Sequence, residues 1–140
     1  MPLIRYRSGD RARWVRCGCW LPLNAIQFMG RADDMIVAGD MNLFGRVMAE
    51  AIAGISGSTG RILLEVDKVD LADRLKIRVE GKDVREDAVR QALFAAYPEL
   101  GVNIRNGNLL LAIDRTESLG NQIKDFRIID RRIASSAGKE

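Results

Sequence analysis

From Leu75 to Glu80 the chain alternates strictly between apolar and charged residues: Leu75-Lys76-Ile77-Arg78-Val79-Glu80. A side-chain period of two puts all three apolar residues on one face of a strand and all three charges on the other. Such a segment folds only against a core that covers one face and leaves the other to water. Ile62, Leu64 and Val66 repeat the alternation upstream. The polar connection from Asp67 to Asp73 is short enough for an antiparallel hairpin between the two runs.

Helical patterns supply the cover. Val47, Met48, Ala51, Ile52 and Ile55 mark one helix face, ending near Gly54 to Gly57. Val84, Ala88, Val89, Ala92, Leu93, Ala96 and Tyr97 form a second apolar stripe. Asp83 with Glu86 three residues later predicts a capping box at its start, and Pro98 and Gly101 predict its stop. Asn106-Gly107, between Val102-Asn103-Ile104 and Leu109 to Ile113, predicts a closing hairpin. The order helix, strand, strand, helix, strand, strand predicts an α+β fold. It is a small antiparallel sheet with two helices on one face, ferredoxin-like in outline. About a hundred residues suffice to bury its core. Residues 1–35 hold polar turns, Gly, Pro and short apolar patches, and read as strands and loops belonging to a larger structure. The expected division is 1–35 and 36–140.

Composition narrows the function. Of 140 residues, 47% are apolar and 29% charged, which is globular rather than disordered. The 22 basic residues are interleaved with 19 acidic ones for a net charge of +3, so no basic face for nucleic acid is expected. No apolar run approaches the roughly 20 residues that cross a bilayer, so no membrane partner is expected either. Arg5, Arg7, Asp10, Arg11 and Arg13 interrupt any signal-peptide pattern, and the cytosol is the expected compartment. With no histidine in the chain, Ser-His and Cys-His nucleophile pairs and histidine metal sites are excluded. Chemistry here rests on Lys, Arg, Asp or Glu. Cys17 and Cys19, one residue apart, are expected not to pair with each other and to remain free thiols.

Several short motifs remain. The chain opens Pro2-Leu3-Ile4-Arg5-Tyr6-Arg7-Ser8-Gly9-Asp10, and Gly30-Arg31-Ala32-Asp33-Asp34-Met35-Ile36 follows. Taken singly, each is an ordinary charged turn. Near the end comes Ile123-Lys124-Asp125-Phe126-Arg127-Ile128-Ile129-Asp130-Arg131-Arg132. Together and in this order they resemble the adenylate-forming enzymes. The first resembles that superfamily's Tyr-Arg/Lys-Thr-Gly-Asp turn, and the second its Gly-Arg-x-Asp-Asp hinge. The third is similar to the closing Gly-Lys-x-x-Arg-x-x-Asp-x-Arg of the phenylacetate–coenzyme A ligase branch. Gly39-Asp40-Met41-Asn42-Leu43-Phe44-Gly45 resembles the branch's Arg-Gly-Val-Asn-Val-Phe-Pro loop. There Asp40 falls where the branch has Gly, and Gly39 comes one position early. Cys17-Gly18-Cys19-Trp20-Leu21-Pro22 is close to its Cys-x-Cys-Gly-Arg-x-x-Pro stretch.

The resemblance implies roles. Residues 1–35 would be the end of a nucleotide-binding domain plus the hinge, and 36–140 a mobile carboxyl-terminal lid. Tyr6, Ser8, Asp10 and Arg31 would contact the nucleotide, with Asp10 on the ribose. Asp33 would be the hinge about which the lid swings. Lys124 would stabilise charge as the carboxylate attacks the α-phosphate, an effect on the order of 3–4 kcal/mol for such donors. Gly39, Asp40 and Asn42 would form the loop that approaches the thiol, where Asp40 questions coenzyme A use. Cys17 and Cys19 would be zinc ligands only with partners elsewhere. The implied partners are a small carboxylate, ATP with Mg2+, and coenzyme A. The chain carries no Ser/Thr/Gly-rich phosphate loop and no acid-binding pocket, so residues 1–140 alone are not expected to run the full reaction. Two other readings stay open: a free-standing module that binds a small ligand or pairs as a homodimer through its sheet, and a degenerate relative without thioester activity.

Overall fold

A computed structural model of the chain describes residues 9–18, 20 and 23–132. Strand β1 (Asp10–Arg16) and strand β2 (Asn24–Arg31) form an antiparallel hairpin, followed by a single 3-10 turn, Ala32–Asp34. A second antiparallel hairpin joins β3 (Met35–Ala38) to β4 (Met41–Phe44), and helix α1 (Gly45–Ala53) follows directly. Then come β5 (Ser58–Val69), β6 (Ala72–Gly81), α2 (Glu86–Ala96), α3 (Pro98–Arg105), β7 (Leu109–Thr116) and β8 (Phe126–Asp130). The last four strands make one sheet in the order β7-β6-β5-β8.

The alternating runs behave as their period requires. Ile62, Leu64 and Val66 of β5 and Leu75, Ile77 and Val79 of β6 are fully buried. They meet Met48 and Ile52 of α1 and Val89 and Leu93 of α2, also fully buried, in one core. Each such side chain taken from water stabilises by roughly 1.5–3 kcal/mol. Lys76, Arg78, Glu65 and Asp67 populate the other face, bound into ion pairs: Arg78 to Glu65 at 2.9 Å and Lys76 to Asp114 at 2.8 Å. The expected β5–β6 hairpin forms, with β5 reaching Val69 and β6 starting at Ala72.

The expectation of a wholly antiparallel sheet is corrected. β8 runs parallel to β5, and β7 runs parallel to β6. For β7 the cause lies at Pro98 and Asn106-Gly107. α2 stops at Ala96, just before Pro98 as expected, but Pro98 then opens a third helix, α3, where its missing N–H costs nothing. Val102 to Ile104 are therefore helical. Asn106 and Gly107 end that helix, their N–H groups donating to the carbonyls of Val102 and Ile104, and do not turn a hairpin. A helical crossover delivers the next strand parallel. The expected capping box is also absent. α2 starts at Glu86 with no side-chain cap, Asp83 adopts φ +57°, and Glu86 instead pairs with Arg90 at 2.8 Å.

Candidate functional site

The β1–β2 ladder sets Asp10 directly opposite Arg31. The Ala32 N–H donates to the Gly9 carbonyl at 2.7 Å, closing the open end of that hairpin. Asp34 ends the following turn, and its Oδ1 accepts from Lys124 Nζ at 2.7 Å. Lys124 also sits 5.4 Å from the centre of the Phe126 ring. Its ammonium is thus held between a carboxylate and an aromatic face while remaining about half exposed. Asp10, Arg31, Asp34, Arg46, Glu50 and Lys124 share one cavity of about 530 Å³. With Asp125, which also lines it, three cations and four carboxylates converge there. Such a wall offers guanidinium forks and an ammonium to phosphate oxygens, and carboxylate oxygens to hydroxyls.

The structure therefore brings Asp10, Arg31 and Lys124 together from the two ends of the chain. Asp33 lies in the turn one residue before Asp34. Tyr6, Ser8 and Cys19 lie outside the described residues. Cys17 corrects an expectation: it is exposed and disulfide-bonded, not a buried or free thiol, and so presents no thiolate to zinc.

The Gly39–Asp40 segment is a tight hairpin turn, not an open loop. Both residues have positive φ, +55° and +61°, as a type I′ turn requires. Gly39 is needed twice over, since a Cβ would lie 2.9 Å from that of Leu109. Asp40 and Asn42 border a different cavity, of about 840 Å³, with Phe44, Tyr97 and Asn103. The Phe44 N–H donates to Tyr97 Oη at 2.9 Å, and burial pushes the Tyr97 hydroxyl pKa up. This cavity adjoins the one that Lys124 lines, with Phe28, Arg46 and Glu50 bordering both.

Four features escaped the sequence reading. Asp34, the partner of Lys124, stood in a quoted motif but without a role. Arg46, 5.9 Å from the Phe28 ring, carried no signal. Gly45 is buried because the Phe126 ring occupies the place of a Cβ, 2.3 Å away. Asp130 and Arg132 belong to the closing motif; they bind each other, and Arg132 also binds Asp73. Arg132 donates to Asp130 at 2.6 and 3.0 Å and to Asp73 Oδ2 at 3.2 Å. The hydrogen bonds from Arg132 hold the Asp130 carboxyl below its ordinary range, and Asp130 in turn raises the pKa of Arg132.

No family model matches the chain. It is 35% identical over 80 residues to a phenylacetate–coenzyme A ligase of Aromatoleum evansii, covering 57% of this chain and 18% of that protein. Over that stretch the chain is similar in sequence to phenylacetate–coenzyme A ligases. A second such ligase, from Escherichia coli strain K12, is 29% identical over 83 residues, 59% of this chain and 19% of its own length. The chain thus spans about a fifth of the length of these curated relatives. In fold it is similar to 2-hydroxyisobutyryl-CoA ligase in the postadenylation state, with a TM-score of 0.53 and 21% identity. That match covers 93% of this chain and 29% of the other. An open conformation of the same ligase, with an acyl-adenylate and CoA bound, gives 0.50 over 88% of this chain and 28% of the other. Among the described residues no helix is long and apolar enough to cross a membrane.

Proposed function

We propose that this chain is the carboxyl-terminal lid and hinge of an ATP-dependent acid–thiol ligase, with Lys124 acting in the adenylation step. In that step a carboxylate oxygen attacks the α-phosphorus of Mg-ATP. A new P–O bond forms, the bond to pyrophosphate breaks, and an acyl-adenylate results. Negative charge gathers on the α-phosphate oxygens, and an ammonium there lowers the barrier more than it favours the ground state. In the second step a thiol, with coenzyme A the expected one, attacks the acyl carbon and AMP leaves.

The observation that supports this reading is the shared cavity. Asp10, Arg31 and Lys124, chosen for three separate motifs, line one space. Asp10 is suited to ribose hydroxyls, Arg31 to ribose or phosphate oxygens, and Lys124 to the α-phosphate. Asp33, beside the 2.7 Å contact of Asp34 with Lys124, fits a hinge. The Gly39–Asp40 turn, whose Asp40 lines the adjoining cavity, fits a thiol-facing element used at a different stage, after the lid has swung. The remaining walls for nucleotide and acid belong to parts of such ligases beyond this length. ATP and coenzyme A as substrates favour the cytosol as its setting.

The test is acid-dependent ATP–pyrophosphate exchange by the full-length protein, with phenylacetate as the first acid. Exchange that appears only with a carboxylate supports the reading. No exchange with phenylacetate, 2-hydroxyisobutyrate or a panel of aryl and acyl acids rejects it.

A further inference from the structure

Strand β6 carries two carboxylates, Asp73 and Glu80, seven positions apart. At strand rise this separates them by roughly 23 Å, close to the two ends of the sheet. Each holds a different element of the site described above, and no residue belongs to both networks.

Glu80 holds the segment that carries Lys124. It is buried, and its Oε2 accepts from the Leu119 N–H at 2.7 Å. Its oxygens also accept from Thr59 Oγ1 at 3.1 Å and from Arg61 Nη1 at 3.1 and 3.3 Å. Arg61 passes the hold onward, its Nη2 donating to the Gly120 carbonyl at 2.8 Å and more weakly to that of Gln122 at 3.3 Å. The Ile62 N–H closes the far side on the Asp125 carbonyl at 2.8 Å. The irregular stretch between β7 and β8 is thereby fixed on both sides of Lys124.

Asp73 holds the Gly39–Asp40 turn. Its Oδ2 accepts from the Gly39 N–H at 3.0 Å and from Arg132 Nη1 at 3.2 Å. Its Oδ1 is buried with no hydrogen-bond partner. β8 links the two ends: Lys124 precedes it on the Glu80 side, and Arg132 follows it on the Asp73 side.

We propose that Glu80 and Asp73 are separate positioning residues for the two half-reactions. Glu80 sets the Lys124 segment for adenylation, and Asp73 sets the Gly39–Asp40 turn for the thiol step. The proposal rests on the function given above. Networks this far apart with no shared member act additively, so damage to one leaves the other intact.

The two sites differ in how an amide substitutes. Both Glu80 oxygens accept from Arg61, so Glu80→Gln turns an N–H2 toward a donor. Asp73 uses one oxygen, so Asp73→Asn keeps the acceptor for Gly39 and sends its N–H2 to the unused position. Asp73→Ala removes the acceptor altogether.

Amide hydrogen exchange in the full chain reads the networks without any catalysis. Glu80→Gln should speed exchange at Leu119 and leave Gly39 unchanged. Asp73→Ala should speed Gly39 alone, and Asp73→Asn should behave as wild type. In the full-length protein Glu80→Gln should slow pyrophosphate exchange about tenfold and spare thioester formation from a supplied acyl-adenylate, while Asp73→Ala should do the reverse. A general loss of structure would lower both half-reactions together. If either variant shifts both amides, or slows both half-reactions alike, separate positioning is overturned. If the amides respond as stated while Lys124→Ala leaves pyrophosphate exchange unchanged, the networks stand and the role of Lys124 falls.

Discussion

Lys124 Nζ and Asp34 Oδ1 lie 2.7 Å apart across ninety residues of sequence. The contact joins the segment before the last strand to the turn after the first hairpin. It forms one side of the cavity that Asp10 and Arg31 share.

As a stability device this pair is modest, because Lys124 is half exposed. Exposed ion pairs contribute about 0–1 kcal/mol. Asp34→Asn should therefore lower the unfolding free energy by less than about 1 kcal/mol in denaturant titration. A loss several times larger would mean that the contact holds the fold and is not free to exchange for a ligand.

Gly45→Ala should cost more. Its Cβ would fall 2.3 Å from the Phe126 ring, and the α1 backbone leaves the methyl no other place. Overpacking of this kind destabilises by roughly 1–3 kcal/mol. The displaced ring would also leave the Lys124 ammonium. Unchanged stability with Phe126 in place, read from its side-chain NMR shifts, would contradict this packing.

The half-buried strands were legible because a period of two has a single structural solution when one face is apolar. Ile62 to Val66 and Leu75 to Val79 came out where the alternation put them. The third helix was not legible. Asn106-Gly107 suits a hairpin and a helix end equally, and local sequence does not choose between them. Only the packing of Leu100 and Leu109 into the core decides, both being fully buried. Asp10, Arg31 and Lys124 were readable as motifs, each a few residues long. Glu80, Asp73 and Arg46 were not, since each looks like any surface charge until the chain is folded and its partners arrive from 19 to 59 positions away or, for Arg46, from Phe28.

Asp40 sits at φ +61° in its turn. Asp tolerates this region better than most residues, and a β-branched side chain does not. Asp40→Gly should leave stability within about 1 kcal/mol of wild type, while Asp40→Val should lose on the order of 1–2 kcal/mol. Equal stability of the two variants in thermal unfolding would remove the left-handed turn from the account.

Acid should loosen the Lys124 segment. The hydrogen bond from Leu119, with those from Thr59 and Arg61, holds the Glu80 carboxyl below its ordinary value of 4.5. A group depressed in the folded state contributes stability above its unfolded pKa and loses it as pH falls through the folded one. Asp130, held down by Arg132, acts in the same sense. Stability should be level above about pH 5 and fall progressively below pH 4.5, and Glu80→Gln should flatten that fall. A profile identical in variant and wild type would show that Glu80 has no part in it.

The central claim is that the Lys124 ammonium serves adenylation and not thiol transfer. The direct measurement is Lys124→Ala in the full-length protein, with both half-reactions followed separately. Pyrophosphate exchange should fall by about a hundredfold or more, while thioester formation from a supplied acyl-adenylate continues near the wild-type rate. Exchange at the wild-type rate, or equal loss in both steps, would contradict the account.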